Sequence, residues 1–340
     1  MTAEGVDAAL QQARVYLDVD NHQRAREVLA GALAMAPDEP ALLIYDAQAA
    51  IGLGDYIGAE RRLYAALKSA PDNEHAIRLY ALALRGQGRW HEAKWMAWRA
   101  VCADPNEYRT HLVYAQILSD EGWLAAALTE VTEAIRLEPS DPDLFVLRGN
   151  IFRKLSRTAE SDADYTAALR LQPDHAIATH NLAVNRMARG RLLGALRGFL
   201  GAGTLDPTLG GLARNNIGLA LARWLRWCSA GVLVLVWLLL VTAAPGNTLG
   251  AGPRVAIALA TAGLGAALGK LVATVGRRTL ASVLKSRPLL AMRILLVVVA
   301  VALGTLTAVS PRQLEVVQIG APMLLIVSLV VFWIGRFTRQ

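Results

Sequence analysis

An all-α chain is expected: an α-solenoid of six helix–turn–helix repeats plus a capping helix, followed by a transmembrane helical domain of about four spans. Three observations predict it. Prolines recur every 34 residues from Pro37 to Pro207. Small residues keep fixed phases within that period. After Arg226 the chain turns apolar and almost loses its acidic residues.

The period runs through Pro37, Pro71, Pro105, Pro139, Pro173 and Pro207 without a slip. Twelve residues before each proline sits Ala25, Ala59, Ala93, Ala127, Ser161 or Ala195. Five before it sits Ala32, Ala66, Ala100, Ala134, Ala168 or Ala202. Earlier in each unit sits Ala13, Ala47, Ala81, Ala115, Gly149 or Ala183. Small side chains let two helices approach closely, and a larger one would overpack the contact by roughly 1–3 kcal/mol. Gly54, Gly88, Gly122 and Gly190 mark the turn inside a unit, where a helix ends on a left-handed residue. Proline cannot continue a helix and stops the second one. Repeat one has Asp20 and repeat five Ser156 where the others have glycine, and repeat five is expected to pack more loosely. A further helical segment over 210–227 places Ile217 at a small-residue phase. It reads as the cap that covers the last exposed face of a solenoid.

A period of 34 with these small residues and this proline resembles the tetratricopeptide repeat (TPR), over about residues 6–207. The resemblance implies a concave surface, lined by the first helix of each unit, that holds an extended peptide or a partner helix. Mapped by repeat phase, that face includes Arg78, Arg85, Arg109, Gln116, Asn150, Arg153, His180 and Asn181, with Arg214 and Asn215 beyond. Asn150 and Asn181 match two asparagines with which TPR carboxylate clamps hold a peptide's C-terminal end. An amide can satisfy both N–H and C=O of a peptide backbone. Val146 stands where the clamp has lysine, so the full clamp is not expected, nor is binding of chaperone tails. A basic groove floor in a net-acidic domain favours an acidic or carboxylate-bearing peptide.

The membrane half is read from hydropathy. Four apolar runs, about 228–244, 255–275, 294–309 and 316–334, each approach the roughly 20 residues needed to span a bilayer. The domains expected are therefore a solenoid over 6–207, a capping or linker helix over 208–227, and a transmembrane domain over 228–340. Leu280–Met292 reads as an amphipathic interfacial segment. A three-span arrangement with one run re-entrant is the alternative. Arg214, Arg223 and Arg226 precede the first run. Arg277, Arg278, Lys285, Arg287 and Arg293 lie between the second and third, and Arg336 and Arg339 follow the fourth. The opposite loops carry one arginine each. Basic residues mark the cytoplasmic side, so both termini and the repeats are expected there. The polar start of the chain has no apolar core of a signal peptide. Arginine outnumbers lysine 30 to 5, which points to a GC-rich bacterial genome and a bacterial cytoplasmic membrane.

Charge narrows the function. Residues 1–213 carry 22 basic and 27 acidic side chains, whereas 214–340 carry 13 basic and one acidic, Glu315. The pI of about 9.7 thus reflects membrane topology, and no nucleic-acid partner is expected. Cys102 and Cys228 form no framework. The six histidines show no metal-ligand spacing, so no metal or cofactor is expected. Lys270 is the single charge well inside a run, which argues against transport. Gly265 and Gly269 form a small-xxx-small pair suited to close helix packing, within the bundle or between protomers of a homo-oligomer. Trp95 and Trp98 share a helix face, and read as packing between repeats or, alternatively, as a docking patch. No loop offers a nucleophile with a base. The reading is a non-enzymatic, membrane-anchored protein–protein interaction scaffold that recruits a protein or peptide to the lipid bilayer, for membrane-complex assembly or envelope biogenesis. The alternative is a channel or transporter regulated by its repeats.

Overall fold

The computed structural model describes residues 3–242, 250–310 and 315–337. The described residues are helical with short turns, and contacts divide them into two compact units, 1–173 and 174–340.

The first unit holds five helix pairs. They are α1 (Ala3–Asp18) with α2 (His22–Met35), α3 (Pro40–Gly52) with α4 (Tyr56–Ser69), and α5 (Glu74–Gly86) with α6 (Trp90–Ala103). Then follow α7 (Tyr108–Asp120) with α8 (Leu124–Leu137), and α9 (Pro142–Lys154) with α10 (Thr158–Leu171). Every pair closes with the same turn. The residue at the left-handed position is Asp20, Gly54, Gly88, Gly122 or Ser156, with φ between 55° and 88°. The following amide reaches back five residues: Asn21 N to the Tyr16 carbonyl at 2.8 Å, Arg89 N to that of Leu84 at 3.0 Å, Arg157 N to that of Phe152 at 2.8 Å. This is the Schellman closure. Asp20 and Ser156 adopt it although a Cβ makes that conformation costly.

The small residues sit where the period places them. Ala25, Ala59, Ala93, Ala127 and Ser161 are fully buried, as are Ala13, Ala47, Ala81 and Ala115. Repeat five, expected to be loose, is instead filled. Tyr165 is fully buried against Gly149, where an added Cβ would lie 2.6 Å from the ring. The Tyr165 hydroxyl donates to Asn150 Oδ1 at 2.8 Å. A large residue in the second helix thus compensates for the missing methyl in the first.

In the second unit, α11 (Ala176–Ala188) and α12 (Leu192–Leu205) form repeat six, with Gly190 at φ 75°. A short 3-10 turn leads to α13 (Gly210–Val241), one continuous 32-residue helix joining the expected cap to the first apolar run. Phe199 and Leu196 of α12 share a core with Ile217 and Leu221 of α13. Leu271 and Val275 of α14 (Ala251–Val275) belong to the same core. These contacts group repeat six with the C-terminal helices, whereas the sequence period places the boundary at 207. Gly198 permits the approach of Ala183, 2.6 Å from where its Cβ would stand.

Helix α14 ends at Gly276, φ 79°. The amphipathic segment expected over Leu280–Met292 is divided. Residues Arg277–Ser286 form α15, which buries Leu280 and Val283, and Pro288 opens α16 (Pro288–Val309). Proline is well suited to a first helical position. Helix α17 (Glu315–Phe337) contains the fourth run. Among the described residues, three helices, counting the turn before α13, are long and apolar enough to cross a membrane, and 316–331 is a shorter apolar helix by the same measure. Val232, Leu235, Ile257, Val297 and Ala321 pack inward. Val234, Trp237, Leu259, Leu295, Val299 and Ile319 point outward and are exposed. Helices that are apolar on both faces suit lipid rather than water. The ends of the runs over 243–249, the Arg312 loop and Arg339 lie outside the described residues.

Two substitutions test this packing by urea unfolding in detergent. Ser156→Gly relieves the left-handed strain and should stabilise the chain by about 0.5–1 kcal/mol. Gly149→Ala should destabilise it by about 1–3 kcal/mol by forcing Tyr165 aside.

Candidate functional site

In the first unit the expected groove residues lie on the first helices α5, α7 and α9. Most of the arginines are already engaged. Arg78 Nε donates to Glu74 at 2.7 Å. Arg85 donates from Nε and Nη2 to Asp120 at 3.0 and 2.7 Å, and from Nη1 to Gln116 Oε1 at 3.3 Å. Arg109 pairs with Glu107 at 3.2 Å. Lys154 donates to the Ser119 carbonyl at 2.7 Å and lies 3.7 Å from Asp120. Asn150 accepts from Tyr165. Arg153 is exposed and, alone of these arginines, outside any ion pair among the described residues. The floor is therefore a lattice of ion pairs rather than a free basic surface. Exposed pairs of this kind contribute at most about 1 kcal/mol each, so they set side-chain position more than stability.

Basic side chains gather about one histidine. His75 packs edge-on to Tyr45 with ring centroids 5.7 Å apart, and Arg14 lies 4.9 Å over the Tyr45 ring. Burial of the imidazole, with the charges of Arg78, Arg109 and Arg14, pushes the His75 pKa down to about 4. Four successive repeats contribute to this cluster, which the sequence reading missed for want of a histidine partner or motif.

The remaining expected residues belong to the second unit. His180 is buried, its ring 5.2 Å from Phe199 and its Nε2 3.2 Å from Asn216 Nδ2. Asn181 is half-buried on α11. Arg214 donates to the Gly210 carbonyl at 3.1 Å. Asn215 accepts from Arg287 Nη2 at 2.8 Å, and the Arg287 guanidinium lies over Gly218, 2.5 Å from where a Cβ would be. Asn215 thus holds the segment between α15 and α16.

The tryptophans of repeats three and four lie outside any core. Trp95 and Trp98 are 57% and 43% exposed on α6, their ring centroids 4.9 Å apart. Trp90 and Trp123 line a pocket of about 430 Å³ with His91, Glu92, Asp120 and Glu121, and Lys94 lies 5.3 Å over the Trp123 ring. Of the two readings of Trp95 and Trp98, packing between repeats is overturned by this exposure. No group of three or more metal-ligating side chains occurs among the described residues.

Comparison with known proteins places this geometry. Residues 142–175, repeat five, match the family model of the tetratricopeptide repeat. A thermophilic TPR protein of Thermus thermophilus is similar in structure, with TM-score 0.50 and 18% identity, covering 53% of this chain and 98% of that one. PilF of Pseudomonas aeruginosa is similar at TM-score 0.49 and 19% identity, over 60% and 93%. YrrB, a TPR protein with an unusual peptide-binding site, is similar at TM-score 0.40 and 18% identity, over 54% and 94%. No curated protein matches the chain. The chain carries tetratricopeptide repeats, and its repeat region has their fold.

Because the folded pKa of His75 lies below the ordinary 6.5, the unfolded chain binds that proton more tightly. Its effect on stability is absent above about pH 6.5 and grows as pH falls toward about 4. The loss over that window should be on the order of 2–3 kcal/mol. His75→Gln should flatten it in unfolding curves, and Arg78→Gln should raise the His75 pKa measured by NMR.

Proposed function

We propose that the chain is a non-enzymatic, membrane-anchored scaffold whose repeats recruit a protein or peptide partner to the bilayer. The observation that carries this reading is the pair Trp95 and Trp98, in ring contact and exposed on α6. Tryptophan is among the commonest anchors of protein interfaces, because it buries a large area at little entropic cost. Apolar helices with basic flanks support the anchor, with the repeats on the cytoplasmic side of a bacterial membrane. Anchoring acts by raising effective concentration, without new contacts. Assembly of a membrane complex or envelope biogenesis are settings in which that is useful.

A second surface is the first-helix face. The field of Arg14, Arg78 and Arg109 about His75 supports an acidic or carboxylate-bearing peptide there. Asn150, Arg153, Gln116 and Arg85 are the remaining candidates on that face; Asn181, His180, Arg214 and Asn215 are candidates within the second unit by itself. The charge-poor runs argue against the channel or transporter alternative. The Gly265–Gly269 pair suits association of two protomers.

Photocrosslinking from native membranes tests both surfaces. Trp95→Ala with Trp98→Ala should abolish capture of the principal partner, while Arg109→Gln with Arg153→Gln should weaken an acidic peptide ligand several-fold. Unchanged capture by both variants, with helical content intact, would overturn the reading.

A further inference from the structure

Residues 174–340 carry 17 basic side chains against three acidic ones, Asp174, Asp206 and Glu315. The first unit, by contrast, pairs many of its cations with carboxylates. Two cations of the second unit have no such partner among the described residues. Arg226, on α13, is exposed and makes no hydrogen bond or ion pair among the described residues. Arg293 is 5% exposed, and its Nε has no partner. A buried guanidinium is unfavourable unless an anion compensates it. Among the described residues, no carboxylate pairs with either.

Arg226 also lines a pocket of about 440 Å³ where the turn of repeat six meets α13. Arg223 lies beside it and donates to the Met187 carbonyl at 3.2 Å. The rest of the wall is apolar: Met187, Leu192, Trp227 and Ala230. Trp227 is 78% exposed, and the first apolar run begins at the next residue. Cations on one side, aliphatic wall on the other, and a tryptophan at the start of an apolar run are the features of a phospholipid interface site.

We infer that this pocket binds the phosphate of an anionic phospholipid headgroup, held by Arg223 and Arg226, with the start of an acyl chain against Leu192 and Ala230. The headgroup supplies the anion that Arg226 lacks. The inference rests on the membrane-anchored reading. It makes lipid composition a determinant of how repeat six, continuous with α13, is held at the surface.

The test uses the full chain. Resistance to carbonate extraction is measured first, and release of the chain would overturn both the anchored reading and this site. The retained chain is then placed in nanodiscs of phosphatidylcholine, with or without 20 mol% (about one lipid in five) phosphatidylglycerol, or in phosphatidylcholine with inorganic phosphate. Phosphatidylglycerol should raise the unfolding midpoint by about 3 °C. Arg226→Gln should lose most of that shift relative to its own phosphatidylcholine baseline, and Arg278→Gln, exposed in the basic segment, should keep it. An equal shift from inorganic phosphate would make this a phosphate site rather than a lipid site. No shift, or equal loss in both variants, would overturn it. If Arg226→Gln does not fold, native mass spectrometry of the unaltered chain decides. Preferential retention of phosphatidylglycerol supports the site, and indifference between the two lipids overturns it.

Discussion

Close approach of paired helices is the constraint on which this chain depends. Each repeat has two short helices, too short to be stable alone, and they gain stability only by packing on one another and on the next pair. Alanine, serine or glycine at three phases of the period makes that packing possible. A left-handed residue after each first helix then reverses the chain within two residues. The closure is demanding enough that Asp20 and Ser156 accept backbone strain to make it. The demand for volume is equally strict: where Gly149 withdraws a methyl group, Tyr165 fills the space and spends its hydroxyl on Asn150.

Charge is organised differently in the two units. In the first, basic and acidic side chains meet across neighbouring repeats, as Arg85 does with Asp120 and Lys94 with Glu121. In the second, cations almost without acids flank apolar helices. Physical chemistry separates the two patterns. Ion pairs suit a hydrated surface of mixed charge, whereas unpaired cations beside apolar runs suit an anionic membrane surface. The long helix α13 runs from the expected cap into the first apolar run without a break, and repeat six shares a core with α14 and α15.

Much of the fold was legible because it is periodic. The prolines, the alanines and the turn positions repeat every 34 residues, and a period survives changes at single sites, as at Asp20 and Ser156. Side-chain pairing was less legible, although part of it was within reach. Arg85 and Asp120 are separated by 35 residues, as are Lys154 and Ser119, and His180 and Asn216 by 36. Opposite charges one period and a residue apart, as in the first pair, are visible in the sequence itself. The arginine field about His75 was not legible, since it combines side chains from four repeats whose distances depend on how the helices stack. The tryptophans were visible, but a helix face alone does not say which side neighbours cover. The filling of repeat five was missed because the glycine and the tyrosine were not considered together.

The central claim is a repeat solenoid held on the cytoplasmic side of a membrane by apolar helices, and the chain's own cysteines report on it. Cys102 is exposed on α6, and Cys228 is buried at the start of the first apolar run. A membrane-impermeant maleimide, applied to sealed cells and to inverted membrane vesicles, should label Cys102 only in the vesicles and leave Cys228 unlabelled in both. Labelling of Cys102 from outside sealed cells would contradict the orientation, and recovery of the chain in the soluble fraction would contradict the anchor itself.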